Sequence, residues 1–442
     1  MTGPSTTLPA LRGQETTIDW VAPPFAGHLF PILGMAKELQ RLGFQQQRVI
    51  SMPSMRKPAE MALRGTGIPF IPLLPERNAD AMALANATTR IFGNPLAVLR
   101  QFKVCVSILA DMRGALLELW RDGSAPDLVI ADSVVPSAGA AALESGARWW
   151  TSLSSIPSAE SLTGTPAYLG GWHQREGRIW RARDAIGRAG VRTFKRTAGR
   201  MCRRQLRELG FESVYRADGS EACYSGERIL GLGLEELEFP GQSWPSAMSF
   251  VGAVLESPLP QGESVWQAPA LAADTRHLLI SLGTHLMWAK DSGVRRAIEL
   301  AAELEGWTVH FSHGDVNGSS LRQVGERAFE HSYVPYGENL ARFDAMIHHA
   351  GTGVMYSALG AGLPAIAWPH DFDQFDQAAR LVANGLALPA PKSTRALAAA
   401  VRRLVDEPEW SERCARIQAL LQEQTPGERL AQMLLAESAV ET

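Results

Sequence analysis

The chain has 442 residues, 45% of them hydrophobic and 20% charged, and a formal net charge of −3. That length exceeds one ordinary core, so two domains are expected, and the balanced charge gives no global argument for binding nucleic acid. No apolar run approaches the roughly 18 residues that span a bilayer.

The opening stretch, MTGPSTTLPALRGQETT, lacks a basic region followed by an apolar core, so residues 1–16 read as a frayed tail and not as a secretory leader. Cys105, Cys202, Cys223 and Cys414 are scattered without metal or redox spacing, which suits packing residues in a reducing cytoplasm. Strand-like runs then follow: TIDWVAP from Thr17, RVISMP from Arg48, PFIPLL from Pro69, DLVIAD from Asp127 and ERILGLG from Glu227. After a proline-rich stretch the pattern restarts with HLLISLG from His277, WTVHFSHG from Trp307, DAMIHHAG from Asp344 and PAIAWPH from Pro364. Amphipathic helices such as FPILGMAKELQRLGF and GVRRAIELAAELEG lie between them. This alternation predicts an α/β protein with two doubly wound parallel sheets and ligands at the carboxyl ends of the strands. The expected division is a first domain over 17–238, a linker over 239–269, a second domain over 270–424, and a C-terminal helix over 425–442 placed to pack back on the first domain.

One segment departs from the average. From Arg175 to Arg207 basic residues far outnumber acidic ones, with Trp180, Ile186, Val191, Phe194, Met201 and Leu206 interspersed. It reads either as a solvated helical face or as a contact with an anionic membrane surface or acidic acceptor. It lacks the interleaved aromatic platform of a nucleic-acid site.

The richest local pattern runs from His348 to Leu381, HHAGTGVMYSALGAGLPAIAWPHDFDQFDQAARL. His349, Gly351, Thr352 and Gly353 stand between an apolar strand and a helix. Glycines let the backbone approach a ligand, and amides opening a helix have no internal partner, so the turn suits a diphosphate. A tight strand-to-helix turn would carry the same glycines. Gly283 and Thr284, ending LLISLGT, offer a further amide and hydroxyl to the same anion. Tyr333-Val334-Pro335-Tyr336 is an aromatic-rich loop on which a flat base can stack. Asp373 and Gln374 supply a carboxylate and an amide suited to adjacent sugar hydroxyls. Asp371 with Asp373 is also a spacing that can hold a divalent metal; the amides already available to a phosphate weigh against it.

These stretches resemble the nucleotide-sugar-dependent glycosyltransferases of GT-B fold, the UDP-glycosyltransferase superfamily, and in particular the bacterial branch of macrolide glycosyltransferases and zeaxanthin glucosyltransferase. Tyr333 to Leu381 is similar to the donor signature, and ERILGLGLEELEFP with SFVGAV to the segment leading into the linker. The resemblance implies two Rossmann-like domains facing a central cleft, with the acceptor on the first and the nucleotide sugar on the second. It implies that Tyr333 and Val334 flank the base, that Thr284, His349 and the Gly351–Gly353 amides hold the diphosphate, and that Asp373 and Gln374 grip the sugar. Ser357 stands where the family usually has a glutamate for the ribose hydroxyls, Val354 where it has a hydroxyl, and Tyr336 where glutamine is common. A dTDP carrier, which lacks one ribose hydroxyl, suffers less from Ser357 than UDP does.

In TIDWVAPPFAGHLFPILGMAKELQRLGF, His28 sits after the first strand, before a helix that Pro31 helps to start. Alone, a loop histidine carries little. The resemblance makes His28 the base that takes a proton from the acceptor hydroxyl, and Asp132, ending DLVIAD, the partner that fixes its tautomer. Asp132 can also be read as a turn or N-cap residue, and Asp127 as the turn residue starting its strand. The implied activity is inverting glycosyl transfer with no cofactor and no metal, from a UDP- or dTDP-sugar to a hydrophobic hydroxylated acceptor, in the cytoplasm or peripherally at the inner face of the membrane. Met82, Leu84, Ile91, Phe92, Leu96, Leu99, Trp149, Trp150, Leu162 and Trp172 either line the acceptor pocket or belong to the core. A nucleotide-sugar 2-epimerase on the same fold, and an inactive nucleotide-sugar-binding partner protein, are the alternatives.

Overall fold

A computed structural model describes residues 11–89, 95–255, 275–316 and 318–440. Two seven-stranded sheets organise it. The first contains β1 (Ile18–Val21), β2 (Gln47–Ser51), β3 (Phe70–Pro72), β4 (Leu128–Asp132), β5 (Arg148–Leu153), β6 (Arg228–Gly231) and β7 (Met248–Phe250), in the spatial order β3-β2-β1-β4-β5-β6-β7. Every pairing in it is parallel. The second contains β8 (Arg276–Ser281), β9 (Trp307–Ser312), β10 (Leu321–Gly325), β11 (Ala328–His331), β12 (Ala345–His348), β13 (Ala365–Ala367) and β14 (Ala387–Pro389), in the order β10-β11-β9-β8-β12-β13-β14. Only its β10–β11 edge is antiparallel.

Burial on both faces explains the apolar runs. Ile18, Trp20 and Ile130 point into one packed layer, and Val21, Val129 and Ala131 into the layer on the opposite face. Leu278 and Ile280 are separated from Leu279 and Met346 in the same way. In each sheet the chain starts at an inner strand, moves outward on one side, then returns to build the other. The direction therefore reverses between β1 and β4, and again between β8 and β12. At such a point the loops from adjacent strands diverge and leave a crevice.

Several boundaries differ from expectation. Residues 1–10 lie outside the described residues, but 11–16 are tied down: Leu11 and Thr16 are buried, and the Gly13 amide donates to Ser438 Oγ at 2.9 Å. The first sheet continues to Phe250 through β7, inside the stretch expected as linker, whose part from 256 to 269 lies outside the described residues. The C-terminal helix Pro426–Val440 packs on the first half. Its Leu430 and Leu434 join the layer holding Leu29 and Leu33, and Glu437 meets Arg148 at 3.0 Å and Arg228 at 2.6 Å. Trp149 and Trp150, weighed as acceptor-lining, are core residues on β5. Ile91 and Phe92 are outside the described residues, as is the side chain of Leu96. No helix of the described residues is long and apolar enough to cross a membrane.

Candidate active site

His28 follows β1 and Asp132 ends β4, the two strands that flank the first reversal point. The helix after β1 runs Ala26–Arg41, so His28 lies in its first turn and Pro31 lies within it, not at its start as expected. Pro31 has no N–H to donate back to Gly27, whose carbonyl thus loses its helical partner beside the cleft. His28 Nδ1 is 3.0 Å from both Asp132 oxygens. Ser154 Oγ lies 3.4 Å from the same nitrogen, and Phe25 packs edge-on against the ring. Asp132 Oδ1 also accepts from the Val134 amide at 2.8 Å, so the turn reading and the partner reading both hold for this one carboxylate. Burial by itself would lower the His28 pKa; the Asp132 carboxylate, with Asp373 adding to it, outweighs burial and holds the imidazole above its ordinary value. With Nδ1–H donated to the carboxylate, Nε2 is the nitrogen left with a lone pair.

The second wall forms at the other reversal point, where the loops after β8 and β12 meet. The helix Thr352–Gly360 opens on Gly351, and no side chain caps it, leaving its first amides for a ligand. The His349 ring lies between the two loops. A Cβ at Gly283 would come within 2.7 Å of His349 Cε1, and one at Gly351 within 2.3 Å of Nε2. Both glycines are therefore required by the ring, and Gly283 also by its φ of 69°. Burial, followed by nearby His348, His370 and Lys290, lowers the His349 pKa to about 3, so at neutral pH it is an uncharged ring able to donate one hydrogen bond. Lys290 ties the loops after β8 and β9 by donating to the Gly283 and His313 carbonyls; burial lowers its pKa to about 8. Thr284 is half-buried in the same loop. Leu286, Ala350 and Phe372, all non-glycine residues with left-handed backbone, lie in these strand-end loops. Such strain collects where a fold holds a site in place.

The other expected donor residues divide. Tyr333 is half-buried at the loop, but the Val334 side chain is fully buried beside Leu279 and Phe343, leaving only its backbone for a base. Ser357 Oγ donates to the Gly353 carbonyl at 2.8 Å. Gln374 Oε1 accepts from the His370 and Asp371 amides at 2.9 and 3.0 Å, so its acceptor is spent on the loop and only its amino group is available to a sugar. Asp373 accepts from Ser155 Oγ at 2.5 Å, across the cleft from β5, and Gln377 Nε2 lies 3.3 Å from the same Ser155 oxygen. The Arg380–Glu238 pair, 2.5 Å apart and almost fully buried, holds the helix Gln374–Ala383 against the first half. Gly27, Pro31 and Ser154 on one wall and Thr352, Gly353 and Tyr356 on the other line one narrow cleft. A larger hollow is lined by the helix Pro136–Glu144, by Trp149 on β5 and by the segment 210–222, and has neither dyad nor glycine turn.

Phe25, Ser154, Ser155, Lys290 and Gln377 were missed in the sequence. The signal for the serines was RWWTSLSS, a strand whose aromatic pair left pocket and core undecided until its burial is seen.

Residues 307–436 match the family described as erythromycin biosynthesis protein CIII-like, C-terminal domain. The chain is 25% identical to zeaxanthin glucosyltransferase of Pseudescherichia vulneris over 83% of this chain and 84% of that protein. It is 30% identical to oleandomycin glycosyltransferase of Streptomyces antibioticus over 43% of this chain and 44% of that one. Among solved structures it superposes on the glycotransferase of kitacinnamycin with a TM-score of 0.69 at 22% identity, covering 96% of this chain and 99% of that one. It superposes on the glycosyltransferase VinC in complex with dTDP with a TM-score of 0.61 at 16% identity, covering 96% and 99%. With fold, strand-end loops and relatives in agreement, the chain shares the GT-B fold and is similar to the nucleotide-sugar glycosyltransferases of that fold, in particular to the branch of the macrolide glycosyltransferases and zeaxanthin glucosyltransferase.

Proposed function

We propose that the chain transfers a sugar with inversion, without a metal, from a dTDP- or UDP-sugar to a hydroxyl of a hydrophobic natural product. The carrying observation is an imidazole held by a carboxylate next to a narrow cleft whose other wall carries an uncapped helix start. In this reading Asp132 holds Nδ1–H and His28 Nε2 takes the acceptor's hydroxyl proton. The oxygen attacks the anomeric carbon, and the bond from that carbon to the diphosphate oxygen breaks on the opposite side, its electron pair leaving with the diphosphate. The Thr352 and Gly353 amides and neutral His349 stabilise that departing charge without presenting a proton that could be lost elsewhere. Gly283 and Thr284 complete the cradle, and Tyr333 flanks the base.

Asp373 exchanges Ser155 for a sugar hydroxyl, and the Gln374 amino group donates to another. Asp371 Oδ1 already accepts from the Phe372 amide at 3.0 Å and Asp373 is directed at Ser155, which favours amides over a metal as the diphosphate's partner. Exposed Leu99, Phe102 and Leu162 on the first half, and relatives named for zeaxanthin and oleandomycin, support a hydrophobic acceptor. Ser357 and the dTDP-bound neighbour support dTDP over UDP. The free cysteines support a cytoplasmic setting.

The test is nucleotide release from dTDP- and UDP-sugars, with and without a panel of lipophilic alcohols, in the presence of a chelator. Acceptor-dependent release with an inverted anomeric product supports the proposal. An isomerised donor without acceptor would assign an epimerase, binding without turnover a partner protein, and loss of activity with the chelator a metal-dependent mechanism.

A further inference from the structure

The helix Arg178–Met201 carries the most exposed large apolar side chains among the described residues: Ile179, Ile186, Phe194 and Met201 are 80%, 74%, 73% and 81% exposed. At about 100° per residue they fall within an arc of roughly 80° on one side of the helix. Its opposite side is anchored. Gly187 abuts Pro166, Leu169 and Trp172, Asp184 accepts from Thr165 Oγ1 at 3.0 Å, and Lys195 meets Glu221 at 2.6 Å. The stripe therefore contributes nothing to the core.

Charge sorts the same way. Arg192 and Lys195 pair with Glu160 and Glu221 on the inner side, and Arg183 turns back to its neighbour Asp184. Arg178, Arg181, Arg200 and Arg203 are exposed and, among the described residues, meet no carboxylate. Arg200 and Arg178 lie beyond one edge of the stripe, Arg181 lies further round the helix, and Arg203 continues the basic surface in the short helix Arg203–Glu208.

We propose that this face lies on an anionic phospholipid bilayer, with the apolar stripe entering the headgroup boundary and the unpaired arginines binding lipid phosphates. Guanidinium groups match phosphate by forked hydrogen bonds, and an amphipathic helix of low overall hydrophobicity lies in such an interface without spanning it. Successive apolar side chains stand about 10 Å apart along the helix axis. They form a row with no groove to key a protein partner, which a fluid surface does not need. The helix rests on the loop that carries Tyr168 and Gly171. Tyr168 donates its amide to Asp376 at 2.9 Å, and Gly171 touches Phe375, so docking brings the donor-side segment 373–376 near the lipid surface. The inference stands independently of the acceptor proposed above.

The test is co-sedimentation of the full chain with phosphatidylcholine vesicles with and without phosphatidylglycerol. The expected result is binding to the anionic vesicles alone, weakened by salt. Ile186→Glu with Phe194→Glu should lower the bound fraction about tenfold or more, and Arg178→Gln with Arg200→Gln should lower it several-fold and flatten the salt dependence. Both variants should keep the wild-type melting temperature and dTDP binding. Equal sedimentation with both vesicle types, no sedimentation, or wild-type binding by the Ile186/Phe194 variant would overturn the proposal. So would a dimer, seen by analytical ultracentrifugation, that this variant converts to monomer, since a second copy would then cover the stripe.

Discussion

The two walls of the cleft each place a histidine at a point where strand order reverses, and the histidines titrate in opposite directions. Burial penalises the charged form of both. His28 has the Asp132 carboxylate at 3.0 Å, which turns the balance upward; His349 has basic neighbours and no carboxylate, and falls to about 3. In the proposed reaction the wall that takes up the proton is the one built from side-chain charge. The wall proposed for the diphosphate is built from amides and an uncharged ring, which can hold an anion without titrating near neutral pH. Residue type alone does not assign a histidine its task; its nearest carboxylate does.

The sharpest way to break this comparison is His28→Ala. Transfer should fall about 100- to 10,000-fold while dTDP affinity, measured by calorimetry, stays unchanged. Normal turnover would remove His28 from the chemistry. Asp132→Asn should cost less, because Nε2 keeps its lone pair. Removing the carboxylate lowers the His28 pKa, so the acid limb of the kcat/KM profile should move to lower pH. An unmoved limb would leave Asp132 as a turn residue only.

The opposite shift has a consequence for stability. His310, His331, His348 and His349 have folded pKa values lowered by burial to between about 3 and about 4. Below an unfolded value near 6.5, the unfolded chain binds protons that these folded sites refuse. Their stability is complete above pH 6.5 and is lost as pH falls toward 4, by up to about 1.4 kcal/mol per pH unit for each group. Melting temperature measured across that window should fall steadily, and a flat profile would contradict the assignment of neutral buried rings.

Gly351→Ala should push the His349 ring from its seat and weaken dTDP binding about tenfold, or roughly 1.4 kcal/mol, with the His28 limb of the pH profile in place. Unaltered affinity would show that His349 does not touch the nucleotide. The smallest effect is expected from Ser357→Glu, which returns a carboxylate to the ribose side. It should raise UDP affinity relative to dTDP a few-fold, seen by competitive displacement.

Strand ends were easy to read because both faces of a parallel sheet are covered, which makes TIDWV and DLVIA continuous apolar runs with polar residues at their exits. That logic put His28, Asp132, Gly283 and His349 at strand exits; the roles expected of His28 and Asp132 came from the family resemblance. The same logic left RWWTSL undecided, since two tryptophans fit a binding surface or a core equally well until their burial is seen, and the serines beyond them went unread. It did not show that the Val334 side chain is buried and that the Gln374 acceptor oxygen is spent on its own loop, which leave only the Val334 backbone and the Gln374 amino group for a ligand.

The sequence by itself determined the alternation of strands and helices, the glycine turn and the residue types at each strand exit, because these depend on local periodicity and backbone freedom. Only the tertiary structure decided that Ser155 reaches Asp373 across the cleft, that Gln374 turns its acceptor oxygen into its own loop, and in which direction burial and neighbours move each histidine's pKa. Strand order brings distant segments together, and burial and Coulomb energy depend on distances in space that no linear pattern records.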